Sequence, residues 1–175
     1  LLIKSRLRIS ANFIIDEFIL DKVEKDDGKE NGLGYSCRIA WTPIHQDRLL
    51  TLYLSIIQIG SHTLKHENGY NNFVQRGNPL GSIHGSDFRQ LKLGFNFFKT
   101  DDIIVHGEAG KIETGENSIL KSPYIGNLDH NKGPFPSGKV ENIYYLESTY
   151  RKIMKKNIHL IVLFECRGPN YKSLS

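Results

Sequence analysis

A strictly alternating stretch near the middle of the chain constrains the fold more than any other feature of the sequence. Between residues 90 and 97 every second residue is apolar, and the residues between them are polar or glycine: Leu91, Leu93, Phe95 and Phe97 against Gln90, Lys92, Gly94 and Asn96. A period of two is the pattern of a β-strand with one apolar and one polar face. Such a strand either covers a soluble core or stands between lipid and water.

Six further stretches alternate in the same way, which predicts seven strands and no helix of useful length. The first runs from Leu7 towards Leu20, and the others cover residues 35–41, 50–56, 103–108, 140–150 and 158–166. The connections between strands are alternately long and short. Long strands with this alternation favour an antiparallel, up-and-down transmembrane β-barrel with short periplasmic turns and long extracellular loops. A soluble sandwich has strands of about 5–6 residues on average.

Composition bounds the class of protein. The 175 residues contain no linker, so residues 1–175 are predicted to form one unit. No apolar run approaches the ~18–20 residues of a membrane-spanning helix. The net charge of +4 is mild and its basic residues are interleaved with acids, which argues against a nucleic-acid partner. The start at Leu1, without methionine or a signal pattern, predicts a mature chain or an internal piece.

Specific motifs add a resemblance to a known family. A Tyr70-Asn71-Asn72 run, a Gly77-Asn78-Pro79-Leu80-Gly81 run and a Gly85-Ser86-Asp87 element precede the strand from Leu91 to Phe98, and Ile14-Ile15-Asp16-Glu17-Phe18 ends the first strand. This order resembles the capsule assembly Wzi family of Gram-negative outer-membrane barrels. The resemblance implies a later part of a barrel at the cell surface that captures or organises capsular polysaccharide, with outer-membrane lipid around it.

Two groups of residues are candidate sites. The first lies in the loop before the alternating strand and offers aromatic faces, amides and charges to sugars: Tyr70, Phe73, Arg76, Asn78, His84 and Asp87. The same loop could equally plug a barrel interior, and both roles stay open. The second group is predicted to face the lumen: Arg8, Asn12, Arg38, Lys92, Asn96, His106 and Glu108. Asp16 continues this polar parity and is predicted to join a ladder of ion pairs.

Catalytic and metal chemistry find little support in the sequence. His106-Gly107-Glu108 matches the His-x-Glu of zinc deaminases, but the Pro-Cys-x-x-Cys that belongs with it is missing. Ser82 and His84 are close in sequence, yet a triad is recognised by geometry. Cys37 and Cys166 lack metal spacing and are interpreted as small apolar residues. We therefore predict no catalytic residue, no metal and no cofactor.

The sequence thus predicts a non-enzymatic outer-membrane barrel that assembles or attaches surface polysaccharide. Two alternatives stay open. A porin-like channel would use the same barrel, with Arg8, Arg38 and Lys92 setting the charge of the lumen. A soluble β-barrel or β-sandwich could instead bind carbohydrate.

Overall fold

A single antiparallel sheet dominates the computed structural model, which describes residues 2–3, 6–29, 31–45, 47–66, 74–99, 102–119, 121, 133–155 and 158–171. The strands are β1 Leu2–Ile3, β2 Leu7–Glu17, β3 Gly32–His45, β4 Arg48–Ile59, β5 Val74–Gln75, β6 Asn78–Pro79, β7 Phe88–Lys99, β8 Ile103–Thr114, β9 Glu141–Lys155 and β10 Ile158–Tyr171. Strands β5 and β6 form a separate small hairpin, and the others pair in the order β1-β2-β3-β4-β7-β8-β9-β10. The predicted all-β, antiparallel class with seven long strands is confirmed.

Among the described residues, no ladder joins β1 or β2 at one edge of this sheet to β10 at the other, so the described sheet is open. Short connections at residues 46–47, 100–102 and 156–157 lie at one end, which we call the turn end. The long connections, residues 18–31, 60–87 and 115–140, lie at the opposite, loop end. The alternation of connection lengths read from the sequence is therefore a property of the folded sheet.

Three strands extend further than their apolar pattern suggests. β8 continues to Thr114 through a stretch predicted as loop, because Gly110 and Lys111 break the apolar alternation there without preventing pairing. β10 continues to Tyr171 by pairing with the loop end of β9. β3 continues past Pro43, where a register shift between Trp41 and Ile44 accommodates a residue that lacks an amide hydrogen.

One short helix, α1 (Lys22–Asp26), lies in the first long connection, which was predicted as loop. The side chain of Asp21 caps it by accepting a hydrogen bond from the Val23 amide at 2.8 Å. No helix in the described part of the chain is long and apolar enough to cross a membrane.

The strand registers sort the side chains into two faces. The apolar face carries rows of aliphatic and aromatic residues on consecutive strands: Phe13 and Ile15, Leu33 and Ile39, Leu52 and Leu54, Leu91 and Leu93, Leu146, and Phe164. The polar face carries most of the charged, amide and hydroxyl side chains that alternate with them, although Arg89, Lys111 and Glu113 share the apolar-face parity at the loop end. On each of the seven long strands, successive side chains therefore lie on opposite faces, and each face continues from one strand to the next. Phe98 falls on the polar-face parity, one residue after the apolar-face Phe97.

Burial is inverted relative to a water-soluble sheet. Apolar-face residues are exposed, with 78% of Phe13 and 62% of Leu93 accessible. The main apolar cluster instead lies on the polar side at the loop end, where Ile59, Leu64 and Phe88 pack together. The long connections cover the polar face at this end and leave the opposite face open.

Candidate functional site

Seven residues predicted to share one face do share it. The cross-strand pairs through β3, β4 and β7 place Arg8 and Glu108 on the same face of the sheet. The other five residues lie on that face as well: Asn12, Arg38, Lys92, Asn96 and His106. The structure brings several of them into contact. Asn12 donates to the Ser36 hydroxyl at 3.1 Å, and His106 Nδ1 lies 3.0 Å from Asn96 Oδ1.

The centre of the polar face is a network around the carboxylate of Glu108, which we call the Glu108 network. Tyr53 donates its hydroxyl hydrogen to Oε2 at 2.6 Å, and Tyr145 donates to Oε1 at 2.8 Å. Lys92 Nζ lies 3.3 Å from the carboxylate, and Gln90 donates to the Tyr145 hydroxyl at 3.0 Å. The network spans β4, β7, β8 and β9, so it joins four strands through side chains in addition to their backbone ladders.

Two glycines make this network geometrically possible. Gly94 stands between Tyr53 and Glu108 in the cross-strand rows, and a Cβ there would lie 2.5 Å from the Tyr53 ring. Gly110 pairs with Tyr145, and its Cβ would lie 2.5 Å from that ring. Each tyrosine therefore lies flat across a neighbouring strand because that strand has no side chain beneath the ring. Neither tyrosine was predicted as a site residue, although glycine at a polar-face position of a neighbouring strand was the available signal.

A second carboxylate, Asp87, ties the long connections together at the loop end. Asp87 is fully buried and accepts hydrogen bonds from the Ser61 hydroxyl at 2.7 Å, the Asn117 amide at 2.9 Å and the Ser137 amide at 3.0 Å. The Ser137 hydroxyl donates to it as well. We call this arrangement the Asp87 junction. Its donors come from two long connections: Ser61 lies in residues 60–87, and Asn117 and Ser137 both lie in residues 115–140.

The remaining loop candidates are not gathered in one place. Arg76 and Asn78 are exposed on the β5–β6 hairpin, whose turn uses positive φ at Arg76 and Gly77. His84 is partly buried, with its ring centroid 5.3 Å from that of Phe88. Burial lowers the pKa of His84, and the charge of Arg167 lowers it further. Tyr70 and Phe73 lie outside the described residues.

Asp16 contributes to loop placement at the same end of the sheet. Its Oδ2 accepts a hydrogen bond from the Leu64 amide at 2.7 Å, and its Oδ1 lies 3.9 Å from His66. The adjacent Glu17 pairs instead with Lys29 at 2.7 Å, on the first long connection. The two neighbouring acids therefore hold two different connections.

The geometry around the nucleophile and metal candidates is also defined. The backbone amide of His84 donates to the Ser82 hydroxyl at 3.3 Å. That contact engages the backbone of His84 and leaves its ring facing Phe88. Within the described ranges, no group of three or more His, Cys, Asp or Glu side chains is placed to hold a metal ion. Cys37 and Cys166 are both free thiols.

Comparison with known proteins gives no relative. No family model, no curated protein and no solved structure matches this chain. The resemblance to capsule assembly proteins therefore stays a prediction that is based on the motifs alone.

Proposed function

We propose that this chain forms part of the wall of a transmembrane β-barrel in a bacterial outer membrane, and that the barrel holds surface polysaccharide without catalysing a reaction. The observation that carries the proposal is the inverted burial of the sheet. Its aliphatic and aromatic face is open, and its charged face is the one that the long connections cover. Lipid on the first face and water on the second would satisfy both.

The size of the apolar face supports a lipid environment. Seven strands at a spacing of about 4.8 Å make it roughly 30 Å wide, and from Leu91 to Phe97 it is about 20 Å tall at ~3.4 Å per residue. The largest apolar patch of a soluble monomer covers about 300–600 Å². Burying one leucine or phenylalanine side chain contributes about 1.5–3 kcal/mol. A face of this extent in water would therefore be strongly unfavourable.

Strand length and aromatic positions agree with a membrane setting. The seven long strands have 11–15 residues, and a tilted strand needs about 9–11 to cross a bilayer. Trp41 is half exposed near the turn end of the apolar face, and Tyr144 is half exposed near its loop end. Aromatic side chains at both ends of an apolar band are typical of the two membrane–water interfaces.

The polysaccharide role depends on the loop end. The Asp87 junction holds the long connections over the polar face, while the nearby hairpin exposes Arg76 and Asn78. Guanidinium and amide groups are suited to carboxylates and hydroxyls of an acidic sugar chain. We propose that this hairpin contacts the polysaccharide.

A diffusion channel is the second candidate, and the charged Glu108 network favours it. The polar side chains at the centre of this face would line an aqueous path as readily as a plugged interior. Steady, large single-channel conductance in planar bilayers would support the channel. Its absence in protein shown to be inserted would support the attachment role.

The two cysteines test membrane insertion directly. Both lie on the apolar face, since Cys37 pairs with Ala11 and Cys166 pairs with Leu146. In liposomes we expect both thiols to resist a charged maleimide and to react after detergent is added. The matched control is Ser36→Cys in a chain whose two cysteines are replaced by alanine, because that neighbouring position is on the polar face and should react with the charged reagent. Monomeric solubility without detergent, with Cys166 reactive in buffer, would overturn the membrane proposal.

The polysaccharide role is tested at the hairpin. Replacement of Arg76 and Asn78 by alanine should weaken binding of an acidic surface polysaccharide about tenfold, which corresponds to the loss of one charge-assisted hydrogen bond. Ile83→Ala, an exposed change in the same connection, is the control. Equal binding by all three proteins at equal folded levels would refute contact through this hairpin.

A further inference from the structure

A cleft on the polar face near the turn end concentrates positive charge. Arg6, Arg8 and Arg38 line it, and the hydroxyl-bearing side chains around them are Ser10, Thr42 and Thr51. Its volume is about 580 Å³, several times that of a small oxyanion. We call it the arginine cleft. It lies at the opposite end of the polar face from the Asp87 junction.

The strand registers bring the basic groups together. Arg8 is opposite Ala40, and Arg38 is opposite Ser10, so the two arginines are diagonal neighbours on adjacent strands. Diagonal pairs lie about 7–8 Å apart, within reach of long side chains. Arg6 stands two residues before Arg8, and its carbonyl accepts a hydrogen bond from the Thr42 amide at 2.7 Å. The backbone therefore holds three guanidinium-bearing positions around one concave surface.

The positive charges of Arg8 and Arg38 are not neutralised by acids. Among the described residues, no carboxylate lies within ion-pair distance of Arg8 or Arg38. Elsewhere on the sheet, basic residues have such partners, as Lys92 has Glu108 and Arg89 has Glu113. Like charges held together repel one another, and a bound anion would remove that repulsion.

Contacts with neighbouring side chains restrain the groups that line the cleft. The Arg38 guanidinium lies 4.0 Å from the centre of the Tyr53 ring, and the Tyr53 hydroxyl donates to Glu108. Thr42 and Thr51 share a hydrogen bond of 3.0 Å between their hydroxyls. A planar guanidinium with five donors matches the oxygens of phosphate in a fork geometry.

We propose that the arginine cleft is a binding site for a phosphate-class oxyanion. The two guanidinium groups of Arg8 and Arg38 carry more positive charge than one carboxylate would balance, whereas a phosphate carries nearly two negative charges at neutral pH and offers several acceptor oxygens. The neighbouring hydroxyls supply further hydrogen bonds. The site depends on the registers of β2 and β3 and stands whether or not the chain binds polysaccharide.

Titration calorimetry of the folded chain tests the site, in detergent micelles or in buffer as its solubility requires. The probes are inorganic phosphate and, separately, glucuronate at equal ionic strength. We expect phosphate to bind, glucuronate to bind at least tenfold more weakly, and the double variant Arg8→Gln, Arg38→Gln to lose about tenfold or more in phosphate affinity. Glucuronate binding as tight as phosphate would assign the cleft to sugar carboxylates and overturn the phosphate assignment.

Two control variants keep the result specific. Arg89→Gln removes one positive charge at the loop end, outside the cleft, and should change phosphate affinity less than about twofold, since exposed charges beyond a Debye length are screened. Arg38→Lys retains charge but removes the planar fork and should retain part of the affinity. No phosphate binding by the folded wild-type chain, or an equal loss in Arg89→Gln, would overturn the proposal. The cysteine-labelling result is independent of these outcomes.

Discussion

The carboxylates of Asp87 and Glu108 both lie on the polar side of the sheet, yet they stabilise different parts of the structure. Asp87 is fully buried, and its donors are hydroxyls and backbone amides of two long connections. Glu108 keeps 13% of its side chain exposed, and its partners are strand residues, including the cation Lys92. A buried carboxylate without its donors costs much more than a partly solvated one. The two connections that meet at Asp87 therefore depend strongly on one side chain, whereas the centre of the sheet is already held by its backbone ladders.

The largest expected effect is at the Asp87 junction. Asp87→Asn keeps the size and tolerates the positive φ of 57° at this position, but its amide hydrogens oppose the donors that now point at the carboxylate. We expect a loss of about 3 kcal/mol in the free energy of unfolding, measured by denaturant titration. Limited proteolysis should then cut within residues 61–66, 115–119 and 133–140.

The control for this change is Asp102→Asn, an exposed acid at the turn end. It removes the same charge without touching a buried network and should change stability by less than about 0.5 kcal/mol. If both variants were equally stable, the Asp87 junction would not be what fastens the connections.

Gly94→Ala should have the next largest effect. The new Cβ would lie 2.5 Å from the Tyr53 ring and 2.6 Å from the backbone oxygen of Gly107, which cannot move independently of β8. We expect destabilisation of about 1–3 kcal/mol, as for other overpacked positions. Gly168→Ala is the matched control in another strand of the sheet, since a Cβ there meets nothing within 4 Å. Equal effects in the two variants would mean that ring placement over Gly94 is unimportant.

The smallest effect is expected in the Glu108 network. Tyr53→Phe and Tyr145→Phe each remove one hydroxyl from the carboxylate and should each cost about 1 kcal/mol in unfolding free energy. Because they share Glu108, the double variant should depart from the sum of the two by more than about 0.5 kcal/mol. Additive losses would show that the two hydrogen bonds act separately. Glu108 would then stabilise the sheet through single, independent contacts, in contrast to the shared junction at Asp87.

The strands were predictable where apolar residues alternate strongly and were shortened where they do not. Leu91 to Phe97 identified β7 because four large apolar residues mark one face. The second half of β8 was read as loop because Gly110, Lys111 and Glu113 do not mark a face by hydrophobicity, although they pair with β7 as regularly as the first half. Pairing is a property of the neighbouring strand, which a local pattern does not contain.

The candidate site was likewise predictable only in part. The parity that places Arg8, Lys92 and Glu108 on one face follows from counting residues along strands. The partners of Glu108 could not be found by such counting, because Tyr53 is two strands away and reaches the carboxylate only across Gly94. Asp87 was assigned to a sugar-contact surface from its polar loop sequence, and the structure instead buries it among donors that are up to 50 residues distant.

By itself, the sequence determined the antiparallel β class, the seven strands and the two-faced character of each, because a period of two is local and fixes which side chains share a face. The tertiary structure decided which of those side chains meet. It placed the long connections over the polar face, buried Asp87 as their common acceptor and gathered Arg6, Arg8 and Arg38 around one cleft. Contacts of this kind depend on strand register and on how distant loops pack, and both are set by interactions between segments that lie far apart along the chain.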